Sequence, residues 1–420
     1  MIFKGLQFAD GTRSDIEIEN GIVSKIGKIA QSGIDCDGLM ALPGLVDLHT
    51  HLREPGYEAS ETIASGSRSA AAGGYTAVFA MANTNPVQDN PDVCEWVMDR
   101  GLESDLVMVQ PVGAITKSIA GKELSEISQM AHSRAKVRVF SDDGNCLIDP
   151  ELMKRALLEV GKFDGVIAQH AQDHSRTIGS LMNEGELSVE LGLTGWPRLA
   201  EEDIIARDAQ LAMETDSRLH VCHLTTEGAV EVVRWAKAKG ARVTAEVTPH
   251  HLLLNEELVR SYNPVFKVNP PLRTKRDTQA LRDALADGTI DILATDHAPH
   301  SKEKKECEWP SAAFGMVGLE IAASVLYKVL VEEAGISWQR FVEASSSLPA
   351  RIGKLPEFGQ IVEGGPANLM IFDPSARRSI TTQTKSLSSN NPWAGMTLPG
   401  EVIHTVYRGR LTFSRETTND

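Results

Sequence analysis

At 420 residues the chain exceeds the usual size of one domain, and because a (β/α)8 barrel takes about 250 residues, one large domain with one small one is expected. Its 42% hydrophobic and 24% charged residues are those of an ordinary globular protein, while a formal net charge of -15 without an offsetting basic cluster argues against nucleic acid as a partner. No apolar run has membrane-spanning length, no basic-then-apolar leader stands at Met1, and the five scattered cysteines form no Cys-x-x-Cys, so a cytoplasmic chain without disulfides, membrane span or export signal is expected.

Both ends of the chain read as β-structure. Ile2 to Gly5, Asp15 to Gly21 and Ile22 to Ile26 alternate apolar and polar residues, with Asn20-Gly21 as a hairpin turn. Ala367 to Asp373 and Glu401 to Tyr407 are strand-like in the same way. The expected small domain is a β-sandwich built from residues 1–43 and 356–420, with everything between them inserted.

Residues 44–355 alternate short apolar strands with amphipathic helical stretches, the pattern of a parallel sheet with crossover helices. The strand candidates are Val46 to His51, Tyr75 to Ala80, Leu106 to Gln110, Lys136 to Phe140, Gly165 to His170, Arg218 to His223, Arg242 to Val247 and Asp291 to Asp296. Eight such units close a TIM-type (β/α)8 barrel.

Ionisable residues gather where these strands end: His49 and His51, Asp143, His170, His223 and Asp296. Barrel enzymes carry their active sites on that face. His49 and His51 stand two apart and so share one side of their strand, which suits a divalent transition metal. Four histidines and two carboxylates are an inventory for two metals, with one carboxylate shared at the spacing of about 3.5–4 Å typical of two-metal sites. Asp296, at a strand end, suits a general acid/base beside a bound water. Arg53 offers a fixed positive charge, and Asn83 is either a substrate contact or a turn former before Pro86. In Asp142-Asp143 either carboxylate can face the metals. The stiff segment Asn269-Pro270-Pro271-Leu272-Arg273 presents Asn269 or Arg273. His250 and His251 are expected behind the site, and His132, His174, His220 and His404 at the surface or in the core. The lysine-rich run 301–306 is a solvated loop or a lid.

Taken together, Val46-Asp47-Leu48-His49-Thr50-His51-Leu52-Arg53-Glu54-Pro55-Gly56, Phe140-Ser141-Asp142-Asp143-Gly144, Thr248-Pro249-His250-His251-Leu252, Asn269-Pro270-Pro271-Leu272-Arg273, Ala294-Thr295-Asp296-His297-Ala298-Pro299-His300 and Phe314-Gly315 resemble a class I dihydroorotase of the amidohydrolase superfamily. The resemblance covers nearly the whole chain. It implies zinc, two ions per chain, with His49 and His51 on the first, His170 and His223 on the second, and Asp143 between them. It further implies Asp296 as a ligand of the first zinc and the general acid/base. His51, Arg53, Asn83, Asn269, His300, Phe314 and Gly315 would contact the substrate. The implied reaction is reversible hydrolysis of (S)-dihydroorotate to N-carbamoyl-L-aspartate, a step of pyrimidine synthesis. A small anionic substrate, a homodimer or higher homo-oligomer, and a complex with aspartate transcarbamoylase complete the expectation.

Two departures stand out. Ala82 replaces a frequent proline, and Gln172-Asp173 follow His170 where a more acidic pair is usual. The fourth strand has no lysine at its C-terminal end, which favours Asp143 over the carboxylated lysine of hydantoinases. The competing readings are another cyclic amidohydrolase, of hydantoinase or allantoinase type, and a non-catalytic dihydroorotase-like scaffold for aspartate transcarbamoylase.

Overall fold

The computed structural model describes residues 1–415; the last five of the expected C-terminal segment 356–420 lie outside the described residues. Its central body is a parallel barrel whose strands are β1 (Leu45–Thr50), β2 (Tyr75–Ala80), β3 (Met108–Pro111), β4 (Val139–Phe140), β5 (Val166–Gln169), β6 (Leu219–Val221), β7 (Val243–Val247) and β8 (Ile292–Leu293). β1 to β3 form one run of parallel pairs and β4 to β8 another. Two parallel bridges, Gly113 with Phe140 and Thr50 with His297, join the runs and close the ring. All eight expected strands are present in the expected order.

The period of two along each strand explains why the ring holds. Ala77, Phe79, Val139, Val166, Ala168 and Ile292 belong to one buried cluster, which fills the barrel. Their neighbours Val78, Ala80, Phe140, Ile167 and Leu293 belong to a second cluster together with helix residues such as Leu157, Ile205 and Val233. Each strand thus has two apolar faces, as a parallel sheet covered on both sides requires. A buried carboxylate locks the first strand to the last: Asp47 accepts from Thr295 Oγ1 at 2.6 Å, from Thr295 N at 3.1 Å and from His49 N at 3.0 Å.

Both chain ends contribute to one further sheet. Met40–Pro43 pairs antiparallel with Leu369–Phe372, in the register Leu369 with Pro43, and parallel with Ile2–Phe8. The hairpin of Arg13–Glu19 and Ile22–Gly27 turns at Asn20 and Gly21, whose φ values of 51° and 84° are those its tight turn requires. Phe3, Leu6, Ile16, Ile18 and Val23 from the first end pack with Leu369, Ile371 and Val406 from the second in a core of their own. Among the described residues no helix is long and apolar enough to cross a membrane, and no disulfide joins two cysteines.

Candidate active site

The six expected ligands converge at the C-terminal mouth of the barrel. His49 and His51 come from β1, Asp143 from the turn after β4, His170 from the end of β5, His223 from just beyond β6, and Asp296 from the bend after β8. All are buried. Asp143 sits at the centre: its Oδ1 is 3.3 Å from His49 Nε2, 3.3 Å from His170 Nδ1 and 3.6 Å from His223 Nε2, and its Oδ2 is 3.3 Å from His51 Nε2. Asp296 Oδ1 lies 3.0 Å from His51 Nε2 and 3.5 Å from His49 Nε2. The chain turns sharply to aim these groups: His223, Asp296 and nearby Arg53 take positive φ values of 32°, 45° and 63°. Non-glycine residues hold such angles only where their surroundings enforce them.

The outer atoms of three rings fix which nitrogen faces inward. His49 Nδ1 donates to Glu246 Oε1 at 2.6 Å, so its Nε2 presents a lone pair. Asn83 donates its Nδ2 to the Asp143 carbonyl, leaving Oδ1 to accept from His51 Nδ1 at 3.0 Å. Gln172 donates to Thr177 and accepts from His170 Nε2 at 2.8 Å, which bares His170 Nδ1. Lone pairs therefore face carboxylate oxygens and, at 2.8 Å, His223 Nε2. His49 Nε2 and Asp143 Oδ1 are buried without a hydrogen-bond partner, a costly state unless a cation fills the gap. Among the described residues three groups could hold one: His49, His51 and Asp143; Asp143, His170 and His223; and, on the far side of the His49 ring, His49, Cys222 and Glu246. Asp143 belongs to the first two.

Charge tells the same story. Burial opposes a charge on His49, but Asp143, Glu246 and Asp296 push its pKa well above the ordinary value, so that with no cation between them a proton takes the Nε2 lone pair that an ion would otherwise use. Burial likewise opposes ionisation of Asp143 and Asp296, yet the surrounding histidines hold both well below the usual carboxylate range. Three carboxylates around one ring demand positive charge at the centre.

A cavity of about 160 Å³ opens over the cluster and is lined by every expected site residue except His49, which lies beneath it. Arg53 Nε is tied to the Pro299 carbonyl at 3.1 Å, and among the described residues its guanidinium meets no carboxylate. His300 Nε2 donates to the Phe314 carbonyl at 2.7 Å, and burial with the neighbouring Arg53 pushes its pKa down to about 3, so the ring is neutral. Gly315, at φ 144°, passes so close that a Cβ would lie 2.8 Å from both the Ala298 carbonyl oxygen and His300 Nε2. Asn269 donates its Nδ2 to Gln172, and its buried Oδ1 has no partner. A larger cavity of about 360 Å³ lies at the other end of the barrel beside Met108, Arg138 and Leu355; its lining holds no histidine and none of these residues.

A family model described as dihydro-orotase-like matches residues 38–229. A dihydroorotase from Leifsonia xyli subsp. xyli is 55% identical over 417 residues, covering 98% of this chain and 95% of its own. The chain belongs to the dihydroorotase family. Family members from Streptomyces coelicolor and Mycobacterium tuberculosis, both dihydroorotases, are 53% and 47% identical, each across 98% of this chain and 97% and 98% of their own. Among solved structures, an L-hydantoinase (dihydropyrimidinase) from Arthrobacter aurescens superposes with a TM-score of 0.86 at 24% identity, over 99% of this chain and 96% of its own. A dihydropyrimidinase from Brevibacillus agri gives 0.85 at 22%, over 99% and 95%. At that identity they carry the fold alone, a TIM-type barrel.

Several alternatives left by the sequence are resolved by geometry. Asp142 turns away and caps the segment Ile115-Thr116, accepting from both backbone N–H groups at 2.8 and 3.0 Å. Asn83 reaches the site instead of closing an Asx-turn. Arg273 is buried against Asn183, Trp196, Thr225 and Glu201, away from the cavity. His251 backs the site by donating to the Pro270 carbonyl at 3.2 Å, next to Asn269. The lysine-rich run contains a short helix, Lys302–Lys305, and Lys305 is buried. Glu246 is the residue that sequence reasoning missed: besides His49 it takes His220 Nε2 at 2.9 Å and the His223 backbone N–H at 3.2 Å. Its signal is a carboxylate on the inward side of a strand whose outward residues are Val243, Ala245 and Val247.

Proposed function

We propose that this chain is a dihydroorotase, hydrolysing the cyclic amide of (S)-dihydroorotate to N-carbamoyl-L-aspartate and running the reverse cyclisation in pyrimidine synthesis. The observation that carries the reading is a guanidinium with no carboxylate partner among the described residues, Arg53, in the same small cavity as a buried cluster of inward-facing lone pairs. A cyclic amide bearing a carboxylate satisfies both halves. Simple hydantoins, which lack the carboxylate, leave Arg53 unanswered, so the hydantoinase-type reading is the weaker one.

The donor set fits two zinc ions. His49, His51 and Asp296 would hold the first, His170 and His223 the second, and Asp143 both. Bound there, such ions lower the pKa of water and polarise a carbonyl. The rest belongs to the protein. Arg53 takes the substrate carboxylate, which a guanidinium matches in two-pronged geometry. Asn269 Oδ1, otherwise unsatisfied, accepts a ring N–H, while His51, Asn83 and His300 border the ring. The Phe314-Gly315 backbone forms the wall against which the ring lies. Asp296, held ionised by His49 and His51, accepts a proton from the attacking water and returns it to the departing ring nitrogen. The glycine at 315 allows that wall to close on His300 without a clash.

The wider reading includes a small sandwich-type domain made from residues 1–43 and 356–420 around the barrel of 44–355, supported by the separate core shared by the two ends. It also includes a cytoplasmic location, on the strength of the scattered cysteines, and, from the family resemblance, a homodimer or higher homo-oligomer and aspartate transcarbamoylase as partner.

The test is zinc content with dihydroorotate hydrolysis, on wild type and on Asp296→Ala. About two zinc ions per chain and a kcat loss of about 10³-fold in the variant are expected, within the range of general acid–base catalysis. Zinc-loaded wild type that leaves dihydroorotate untouched would overturn the reading, and turnover of hydantoin instead would move it to the second cyclic amidohydrolase class.

A further inference from the structure

Two lysines near the cavity are buried without a counter-ion. Lys267 is 2% exposed and Lys305 4%, and among the described residues neither pairs with a carboxylate. A buried ammonium is tolerated only when its three N–H groups are all answered. Here each is answered by three backbone carbonyls. Lys267 Nζ donates to Trp309, Pro310 and Ala312 at 2.8, 3.0 and 2.7 Å. Lys305 Nζ donates to Ala313 and Gly315 at 2.9 and 2.8 Å, and to the carbonyl of Lys267 itself at 2.8 Å.

The segment from Trp309 to Gly315 has no helix or strand to satisfy its backbone. With His300 on the Phe314 carbonyl, every carbonyl in it except that of Ser311 ends on a side-chain N–H of Lys267, Lys305 or His300. Lys267 Nζ also lies 4.4 Å from the centre of the Phe314 ring, a cation–π contact. The last two residues of this segment, Phe314 and Gly315, form one wall of the substrate cavity. Lys305 additionally lines a neighbouring cavity of about 150 Å³ that shares His300 with the first.

We propose that Lys267 and Lys305 are positioning and specificity residues for an anionic substrate: they hold the Phe314-Gly315 wall in place and set two uncompensated positive charges behind it. The inference rests on the function proposed above. A chain of net charge -15 repels an anion at long range, so capture depends on local cations whose field is undamped by water. A neutral scaffold could have held the same carbonyls with backbone N–H groups at no charging cost. Burial lowers the pKa of both lysines, for Lys305 to about 7 with the Lys267 charge adding to the effect, so the three carbonyl acceptors on each Nζ, and an anion in the cavity, are what favour the ammonium form there.

The experiment uses the zinc-loaded full chain with Lys267→Met and Lys305→Met, which keep the aliphatic stem and remove the charge, and Lys305→Gln, which keeps polar donors. Melting temperature, kcat and KM for dihydroorotate, and inhibition by dihydrouracil, the same ring without the carboxylate, are measured on each. The expected result is a KM for dihydroorotate raised about tenfold or more, with kcat within about threefold and the dihydrouracil inhibition constant within about twofold. An unchanged KM overturns the proposal. Equal weakening of dihydroorotate and dihydrouracil overturns its charge component, since a merely structural clamp moves both. Should Lys305→Met not fold, Lys267→Met decides by the same readings. Wild type inactive on dihydroorotate would remove the proposed function itself, an outcome distinct from active wild type with unaltered lysine variants.

Discussion

Glu246 divides its carboxylate between two imidazoles, Oε1 on His49 and Oε2 on His220, and this fixes the His49 lone pair on the cavity side. Burial alone would raise the Glu246 pKa, but the His49 and His220 contacts hold it down at about 2, so it accepts as an anion. Glu246→Gln supplies one acceptor oxygen where two are used, and its amide N–H₂ must face one of the rings. Zinc affinity should fall about 10–100-fold, the usual effect of losing a carboxylate behind a histidine ligand. Competition with a chromogenic chelator reads this without reference to turnover, and an unaltered affinity would refute the role. The histidines and aspartates of the cluster were legible in the sequence because each stands at a strand end. Glu246 was not, since its partner is 197 residues away and an acid inside a strand reads as a solvent-facing residue. Spacing did not separate Asp143 from Asp142, because neighbours in a turn differ only in which way the turn aims them; the family resemblance favoured Asp143, and it is Asp143 that sits among the histidines.

At the scale of elements, the eight barrel strands were legible as short apolar runs, but several were overestimated, among them Arg218 to His223, which shrinks to Leu219–Val221. Lys136 to Phe140 shrinks to Val139–Phe140, and Asp291 to Asp296 to Ile292–Leu293. Lys136 and Asp296 take positive φ, 47° and 45°, and a strand cannot continue through such a residue. Packing of helices on the strands brings its own titration. Asp208, on the helix Leu199–Thr215, accepts from Gln169 Nε2 at 2.9 Å at the end of β5 and from Arg207 Nε at 2.8 Å. Burial dominates and pushes its carboxyl up from 3.8 to about 6. An acid whose pKa rises on folding is better tolerated protonated. Its ionisation therefore adds nothing below about pH 4, costs progressively more between 4 and 6, and reaches its full cost above 6. At about 1.4 kcal/mol per pKa unit that cost is about 3 kcal/mol. Asp208→Asn removes the titration, so its stability relative to wild type should improve by about that amount between pH 4 and pH 7. Urea unfolding of the metal-free proteins across that range measures it, and a difference that does not change with pH would show that Arg207 cancels the burial cost.

Across the whole molecule the two ends of the sequence meet. That both ends carry strands was legible, because both alternate apolar and polar residues. Their register was not, since alternation alone does not say which strand lies beside which. Met40–Pro43 turns out to be the seam: it pairs on one side with Leu369–Phe372 and on the other with Ile2–Phe8, and the chain then runs at once into β1 through Gly44, whose N–H reaches the Asn368 carbonyl at 3.1 Å. The barrel therefore inherits its first strand from a sheet that is complete only after residue 369 has been added. Deleting residues 1–43 would leave Leu369–Phe372 with an unpaired edge and would uncover Leu369, Ile371 and Val406, which now pack on Phe3, Leu6, Ile16 and Val23. Exposed apolar edges recruit other chains. A chain of residues 44–420 should accordingly be insoluble or aggregated when produced alone, and supplying residues 1–43 as a separate polypeptide should restore part of the soluble fraction. A soluble, monodisperse 44–420 chain would mean that the barrel folds without its terminal sheet, and that the sheet is an appendage instead of the clasp that joins the two ends.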